Sequence, residues 1–265
     1  MPRIVYANLG YSRDIDGSLG HHVRRVHHHI YTPRDVQVRS LTFVKEMLRE
    51  MKPDLSCFVE IDRGSLTNGF FDQLPILRED HHATVQIDSK YALERKFRRF
   101  SISKGKSNAF LASQPLQFEA RYLDFGKKRL VYDIDIEGIR VLIAHCSLLR
   151  RVRERQFEQI AAWTREKDAP TVVMGDFNIF RGCRELEPLL HDRRFVHLNG
   201  ALGPTFRLGP YRASLDTCLV SNDIAGRCEL EIVNQPFSDH QMLRIDIRPE
   251  GETLREQIEK QAAVA

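Results

Sequence analysis

Short apolar runs alternate with a few amphipathic helical patterns along the chain. The runs predict strands at 4–9, 55–61, 83–87, 109–112, 120–125, 130–136, 139–146, 171–176, 217–221, 229–233 and 242–247. Apolar spacing predicts helices over 33–51, 151–167 and, briefly, 184–190, with Thr32 capping the first. Glu137-Gly138 predicts a hairpin turn. Because the strands are interleaved with only a few helices, the pattern favours a sheet-centred α/β sandwich over a purely parallel sheet.

The length of 265 residues and the 42% hydrophobic content suit one substantial core. We expect one domain over 1–248 and a polar tail over 249–265. No apolar run approaches the length of a membrane span, and the first residues enter a strand pattern without a signal peptide, so we expect a cytoplasmic protein. The five cysteines form no Cys-x-x-Cys pair, and three lie in strand-like runs, which predicts free, mostly buried thiols.

Positive charge is clustered, although the net charge is only +4. A basic segment interleaved with phenylalanine runs from Arg95 to Lys106, and shorter clusters lie at 127–129 and 150–155. Such clusters can be solvated faces, or they can be a footprint for a polyanion, either nucleic acid or an acidic membrane surface.

Polar side chains stand where several predicted strands begin or end. Asp176 and Asn178 close the run that starts at Thr171, and residues two apart share one face of a strand. The other strand-end candidates are Asn8, Glu60, His145, Asp216 and the triplet Ser238-Asp239-His240. Carboxylate and amide oxygens suit magnesium, and histidines oriented by aspartates suit acid/base catalysis. The pattern therefore indicates a site whose residues can bind a metal or phosphate and perform acid/base catalysis.

This ordered set of motifs resembles the endonuclease/exonuclease/phosphatase superfamily. The resemblance rests on Asn8, Glu60, His145, Gly175-Asp176-Phe177-Asn178, Leu215-Asp216 and Ser238-Asp239-His240. It implies a four-layer α/β sandwich, with two packed mixed sheets flanked by helices and the motif residues at one edge. It also implies a phosphoester hydrolase that uses Mg²⁺ or Mn²⁺.

The resemblance further implies a role for each matching residue. Glu60 is the principal metal ligand, with Asn8 and Asp239 near the same cation or a second one. Asp176 activates the water and Asn178 holds a phosphate oxygen. His145 and His240, the latter oriented by Asp216, bind phosphate and handle protons. We expect the substrate-binding residues to be Arg98, Arg99, Lys106 and Asn108.

The substrate branch stays open in the sequence. A histidine in Ala144-His145-Cys146 resembles the deoxyribonuclease, sphingomyelinase and inositol-phosphatase members more than the apurinic-site endonucleases, which tend to carry tyrosine there. Val59 before Glu60 and Arg207 after Thr205-Phe206 depart from many members. We predict a phosphodiesterase, with nucleic acid favoured over phospholipid as substrate because of the segment 95–106. A phosphatase of inositol or sugar phosphates and a non-catalytic anion-binding module are the alternatives.

Five histidines crowd residues 21–29. They could form a transition-metal site, or a mobile loop that adds pH-dependent positive charge beside the active site. We favour the second interpretation.

Overall fold

The computed structural model describes residues 1–91 and 104–251, which form two six-stranded sheets and a separate hairpin. The first sheet has the order Cys228–Val233 (β13), Met242–Ile247 (β14), Arg3–Asn8 (β1), Leu55–Asp62 (β2), Lys106–Ala112 (β4) and Thr84–Ser89 (β3). The second has the order Gln117–Tyr122 (β5), Leu130–Ile136 (β6), Ile139–His145 (β7), Thr171–Asp176 (β8), Asp216–Ser221 (β12) and Phe195–His197 (β9). Phe206–Leu208 (β10) and Tyr211–Ala213 (β11) form the hairpin.

Helices lie outside the two sheets and in the loops. They are Leu19–Arg24 (α1), Arg34–Met51 (α2), Leu74–Leu77 (α3), Arg150–Thr164 (α4), Glu187–Leu190 (α5) and Asn222–Ala225 (α6). Single 3₁₀ turns occupy Gly10–Ser12, Val26–His29, Leu66–Asn68 and Cys183–Leu186. None of the described helices combines the length and the apolar character that crossing a membrane requires.

Strand alternation creates the layers. Ile4 and Tyr6 of β1 meet Met174 of β8 in a core between the sheets, while Val5 of β1 packs with α2 and Val173 of β8 with α4. Because successive side chains of a strand point to opposite faces, each sheet is apolar on both sides and is covered on both. The predicted α/β sandwich of two mixed sheets flanked by helices is therefore confirmed.

Each sheet contains one parallel pair at its centre. β1 runs parallel to β2, and β7 runs parallel to β8, whereas the other neighbours within the two sheets are antiparallel. Parallel neighbours need a crossover, and the long helices α2 and α4 lie in the connections between these strands. The carboxyl ends of four central strands therefore carry the loops in which site residues can gather.

Several local predictions differ from the structure. Thr32 does not cap α2: Pro33 occupies the N-cap position without a side-chain hydrogen bond, and the Thr32 hydroxyl donates to the His28 carbonyl over 3.1 Å. The segment 184–190 is a 3₁₀ turn followed by α5, in which Pro188 stands in the first turn. The three-residue strands β9, β10 and β11 were not predicted, because so short a strand carries no readable alternation.

Other local predictions are confirmed. The hairpin turn at Glu137-Gly138 has positive φ at both residues, 52° and 77°, as a two-residue hairpin turn requires. All five cysteines are free, and Cys57, Cys146 and Cys218 are buried. Residues 252–265 lie outside the described part of the chain, and the division of the chain at 248 stays a prediction.

A buried ion pair fastens the second sheet to α4. The Arg140 guanidinium donates to both carboxylate oxygens of Asp133 over 2.8 and 2.6 Å, and to the Trp163 carbonyl at the end of α4 over 2.7 Å. Burial opposes the charge on Asp133, but its hydrogen bonds with Arg140 and the charge of Arg140 hold its pKa below the usual range. The pair fixes where α4 ends against the sheet.

We expect Asp133→Ala to lower the free energy of unfolding by about 3 kcal/mol, because it leaves the Arg140 charge buried without its partner. Urea unfolding followed by circular dichroism measures this. Asp135→Ala, on the same strand but exposed, is the matched control and should cost less than about 1 kcal/mol. Equal losses in the two variants would contradict the assignment.

Candidate active site

The period of two along the strands delivers the site residues to one end of the space between the sheets. Asn8 shares the inward face of β1 with Tyr6, and Asp176 shares that of β8 with Met174. His145 ends β7 opposite Asp176, and Asp216 begins the antiparallel β12, also opposite Asp176. Polar side chains thus replace the apolar core at the edge where the parallel strands end.

Glu60 reaches the same edge by a different route. The pairing of β2 with β4 shifts between Phe58 and Ile61, and Glu60 takes a positive φ of 54°. Phe58 and Ile61 both pack on the α2 side, while Val59 belongs to the core between the sheets. Regular alternation would place Glu60 on the α2 side, so the bulge is what turns its carboxylate into the site.

The Asp176 carboxylate is the most connected group of the site. Oδ2 accepts from the Asn8 amide over 3.1 Å and lies 3.2 Å from His145 Nε2, while Oδ1 accepts from the Asn178 backbone N–H over 3.1 Å. Burial would raise the pKa of Asp176, but the hydrogen bond from His145 and the charge of His240 hold it well below the usual range. Asp176 is therefore an ionised, fixed acceptor.

The two histidines have opposite electrostatic surroundings. Burial and then the nearby Lys128 lower the pKa of His145 to about 4, so this ring is neutral at pH 7. His240 Nδ1 lies 2.7 Å from Asp216 Oδ2. Burial opposes charge on His240 too, but Asp216 and Asp176 outweigh it and raise the pKa of His240. One site thus holds a neutral and a charged imidazole, a separation typical of paired acid/base groups.

Lysines surround the Glu60 carboxylate. Lys90 Nζ lies 3.6 Å from Glu60 Oε1 and contacts the Tyr11 hydroxyl, and Lys128 contacts His145 Nε2. Burial lowers the pKa of Lys90 to about 8. Burial alone would raise the pKa of Glu60, but the charges of Lys90 and Lys128 hold it well below its usual range. Glu60 is therefore ionised, in a neighbourhood that attracts anions.

Several of these groups, but not His145, Lys90 or Asp216, line one cavity of about 180 Å³. Its polar lining comprises Asn8, Arg13, His29, Glu60, Lys128, Asp176, Asn178, Ser238, Asp239 and His240. Leu148, Phe180 and Phe206 add apolar walls. The cavity therefore combines a few convergent charged groups with apolar sides, as small-molecule sites generally do.

The donor set facing the cavity fits a hard divalent cation. Glu60, Asp239 and Asn8 offer oxygen ligands, and burial followed by the charge of Glu60 raises the pKa of Asp239. A cation near two mutually repelling carboxylates would relieve that repulsion.

A second geometric cluster fits a cation less well. Ligand atoms of Asp176, Asp216 and His240 lie within 4.8 Å of one another and form the only group of at least three converging acidic, histidine or cysteine ligands in the described ranges 1–91 and 104–251. All three residues are buried, and Asp216 and His240 already bind each other. This cluster suits proton handling better than a hydrated magnesium ion.

The remaining predicted site residues fall in different places. Asn178, at φ 54°, donates from its side chain to the Cys146 carbonyl over 3.1 Å. Asn108 is buried on β4, and neither atom of its side-chain amide has a hydrogen-bond partner among the described residues. Lys106 Nζ lies 4.7 Å from the centre of the Tyr11 ring. Arg98 and Arg99 lie outside the described residues.

The histidine-rich segment folds next to the cavity. It forms α1 and a 3₁₀ turn instead of an irregular loop, and His29 lines the cavity. His28 Nδ1 lies 2.7 Å from the Arg13 carbonyl. The rings of His22 and His29 stack at 5.9 Å between their centroids. The segment therefore borders the candidate active site.

Several cavity neighbours were not predicted as site residues. Lys128 belongs to a basic cluster that the sequence made visible, whereas Lys90 stands alone after a strand and gave no signal. Phe206 packs against the His240 ring at 4.9 Å between centroids and pairs with it by an isolated backbone bridge. The hairpin of β10 and β11 thereby supports the Ser238-Asp239-His240 loop.

Comparison with known sequences identifies the family. The chain matches the Endonuclease/Exonuclease/phosphatase family over residues 36–240 and belongs to it. Members of this family are hydrolases of phosphoesters and generally depend on divalent metals. No curated protein matches the chain.

Solved structures share the fold at low sequence identity. An AP endonuclease from Archaeoglobus fulgidus is 17% identical, with a TM-score of 0.61 over 94% of this chain and 100% of that one. Truncated Caenorhabditis elegans TDP2 is 14% identical, with a TM-score of 0.61 over 92% and 96%. The endonuclease domain of TRAS1, a telomere-specific non-LTR retrotransposon, is 15% identical, with a TM-score of 0.57 over 93% and 98%. These similarities establish the fold.

We expect Gly175→Ala to destabilise the protein by about 2 kcal/mol or more and to displace Asp176. A Cβ at Gly175 would lie 1.8 Å from the Ala144 carbonyl oxygen of the neighbouring strand, where neither backbone can give way. Urea unfolding measures the loss. Gly226→Ala is the control, because nothing lies within 4 Å of its Cβ position and its φ is −69°. A stable Gly175→Ala protein would show that the strands tolerate the extra methyl group.

Proposed function

We propose that the protein is a divalent-metal-dependent phosphodiesterase. The observation that carries this proposal is the convergence of Glu60, Asp176 and His240 on one cavity, with His240 bound to Asp216 behind it. Hydrolysis of a phosphodiester needs a polarised phosphoryl group, an activated water and a protonated leaving oxygen. Mg²⁺ or Mn²⁺, held by Glu60 with Asp239 and Asn8, would polarise the phosphoryl oxygens and favour deprotonation of water.

Side chains of the protein carry out the other steps, which are orienting the water, donating the proton and binding the phosphate. Asp176, fixed by Asn8 and the Asn178 backbone, orients the attacking water. His240, held by Asp216, presents its other ring nitrogen to the phosphate and serves as a proton donor. Lys128 lines the cavity and supplies a donor for a phosphate oxygen, while the neighbouring His145 donates to Asp176 and keeps it in place. The phosphate-binding role of His145 stays a prediction. Asn178 lines the same cavity and supports the phosphate from the side of Cys146.

The preference for nucleic acid stays a prediction. It rests on the basic segment 95–106, of which only residues 104–106 are described. The cationic neighbourhood of Glu60, with Lys90, Lys106 and Lys128, suits the phosphate of any phosphodiester.

We expect His240→Ala to lower kcat on bis(p-nitrophenyl) phosphate by about 10²- to 10⁴-fold, the range for loss of a general acid or base. Initial rates with Mg²⁺ and with Mn²⁺ measure this, and a mono-aryl phosphate run in parallel separates diester from monoester hydrolysis. His191→Ala is the control, because this ring is exposed and pairs with the likewise exposed Glu187 at the surface. Unchanged rates in His240→Ala would remove His240 from the mechanism.

We expect Glu60→Gln to weaken Mn²⁺ binding by about tenfold or more, because a neutral amide replaces the main anionic oxygen ligand. Calorimetric titration with Mn²⁺ reads this without turnover. Glu119→Gln, on the exposed strand β5, should titrate like the wild type. If both variants bind Mn²⁺ equally well, Glu60 is a structural partner of Lys90 and not a ligand.

A further inference from the structure

An apolar stripe is exposed next to the cavity. Leu19, Val23, Val26 and Ile30 recur at i, i+4, i+7 and i+11 through α1 and the turn that follows. Such spacing normally marks the face of a helix that packs on the core. Here the four side chains are 63%, 75%, 61% and 77% exposed, and α1 buries none of its residues. We call these four residues the stripe. It is mostly exposed to solvent, although Leu19 at its start lies against Gly209 of the hairpin.

The stripe lies in a stretch that lacks negative charge. Between Asp16 and Asp35 there is no aspartate or glutamate, but there are three arginines and five histidines. Arg24 is exposed beside the stripe, while Arg25 pairs with Asp14 at 2.9 Å. A bond of 2.7 Å from the Gly209 N–H to the Gly17 carbonyl ties the start of α1 to the hairpin. The surface of α1 and the following turn is thus apolar and basic, and a backbone hydrogen bond attaches its start to the hairpin of β10 and β11.

A second group with the same character borders the cavity. Leu148, Leu149 and Phe180 are 60%, 69% and 42% exposed. Exposed arginines follow them in the sequence: Arg150 and Arg151 come after the two leucines, and Arg181 comes after Phe180. Leu148 and Phe180 line the cavity together with His29, which comes from the segment of the stripe. The cavity is therefore bordered by exposed apolar and basic side chains from two separate parts of the chain.

We propose that the stripe docks on the surface of an anionic phospholipid bilayer and that the cavity then receives the phosphodiester of a lipid headgroup. The second half of this proposal rests on the proposed phosphodiesterase function. Apolar side chains that enter the acyl boundary while neighbouring arginines contact anionic headgroups are the features of interfacial binding. Nucleic acid offers no apolar phase for valine and isoleucine, and single strands stack on aromatic rings instead.

Vesicle sedimentation tests the docking without turnover. In a His240→Ala background, we expect binding to vesicles of phosphatidylcholine with phosphatidylserine, weaker binding to phosphatidylcholine alone, and weakening by salt. Val23→Ser/Ile30→Ser should reduce the binding by about tenfold or more, because two exposed apolar side chains no longer enter the bilayer. Val196→Ser/Leu202→Ser is the control, since these apolar residues are 39% and 51% exposed and lie on β9 and in the loop that follows it.

Hydrolysis tests the substrate. In the otherwise wild-type chain, Val23→Ser/Ile30→Ser should lower release of phosphorylated headgroup from the vesicles by about tenfold and leave hydrolysis of bis(p-nitrophenyl) phosphate within about twofold. Circular dichroism confirms that both double variants are folded.

Each contrary outcome has a distinct meaning. Equal vesicle binding by the stripe and control variants, or no binding by the parent chain, overturns the docking. Vesicle binding without phospholipid hydrolysis overturns the substrate assignment alone. Cleavage of single-stranded DNA that falls with the stripe variant, without vesicle binding, assigns the surface to nucleic acid and overturns the proposal. No hydrolysis of the soluble diester defeats the phosphodiesterase function, while sedimentation still tests the docking.

Discussion

The central parallel strand pair of each sheet is the constraint on which the site depends. Because β1 and β2 run together in one sheet and β7 and β8 in the other, their carboxyl ends deliver Asn8, His145 and Asp176 to one end of the space between the sheets. The close approach at Gly175 keeps β8 near Ala144, and so holds Asp176 within 3.2 Å of His145. The close-packed apolar core fixes the positions of the strands, and the strands in turn fix the positions of the charged side chains at their ends.

Much of this arrangement can be predicted from the sequence, because the same two-residue alternation along the strands determines both the core residues and the site residues. The same alternation that makes Met174 a core residue makes Asp176 a site residue, so a polar side chain at the end of an apolar run is informative. The orientation of Glu60 could not be predicted in this way, because it depends on a β-bulge that the alternation of apolar and polar residues does not show. The strand-end pattern singled out Glu60 and the family resemblance gave it the role of metal ligand, but regular alternation alone would have turned it toward α2.

Some positions were misjudged because of long-range contacts and others because of a competing local hydrogen bond. Lys90 belongs to the site only because it follows β3, which brings it against Glu60 and Tyr11. A single lysine after a strand forms no sequence pattern that would predict this contact. Thr32 has a side chain suited to an N-cap, but its hydroxyl donates a hydrogen bond to the His28 carbonyl instead. The stripe was not predicted for another reason: arginines and histidines occupy five of the six positions between Val23 and Ile30, and α1 gives way to a 3₁₀ turn within this stretch.

The two elements that border the cavity follow from the same strand arrangement. The loop after β1 carries the stripe, and the loops after β7 and β8 carry Leu148 and Phe180. None of these side chains belongs to the three core clusters, so they can change without disturbing the sheets. A family that keeps its catalytic groups on strand ends can therefore alter its substrate surface through the adjoining loops. Exposed leucine, valine and isoleucine are costly in water, and the proposed bilayer surface would cover those that border the cavity.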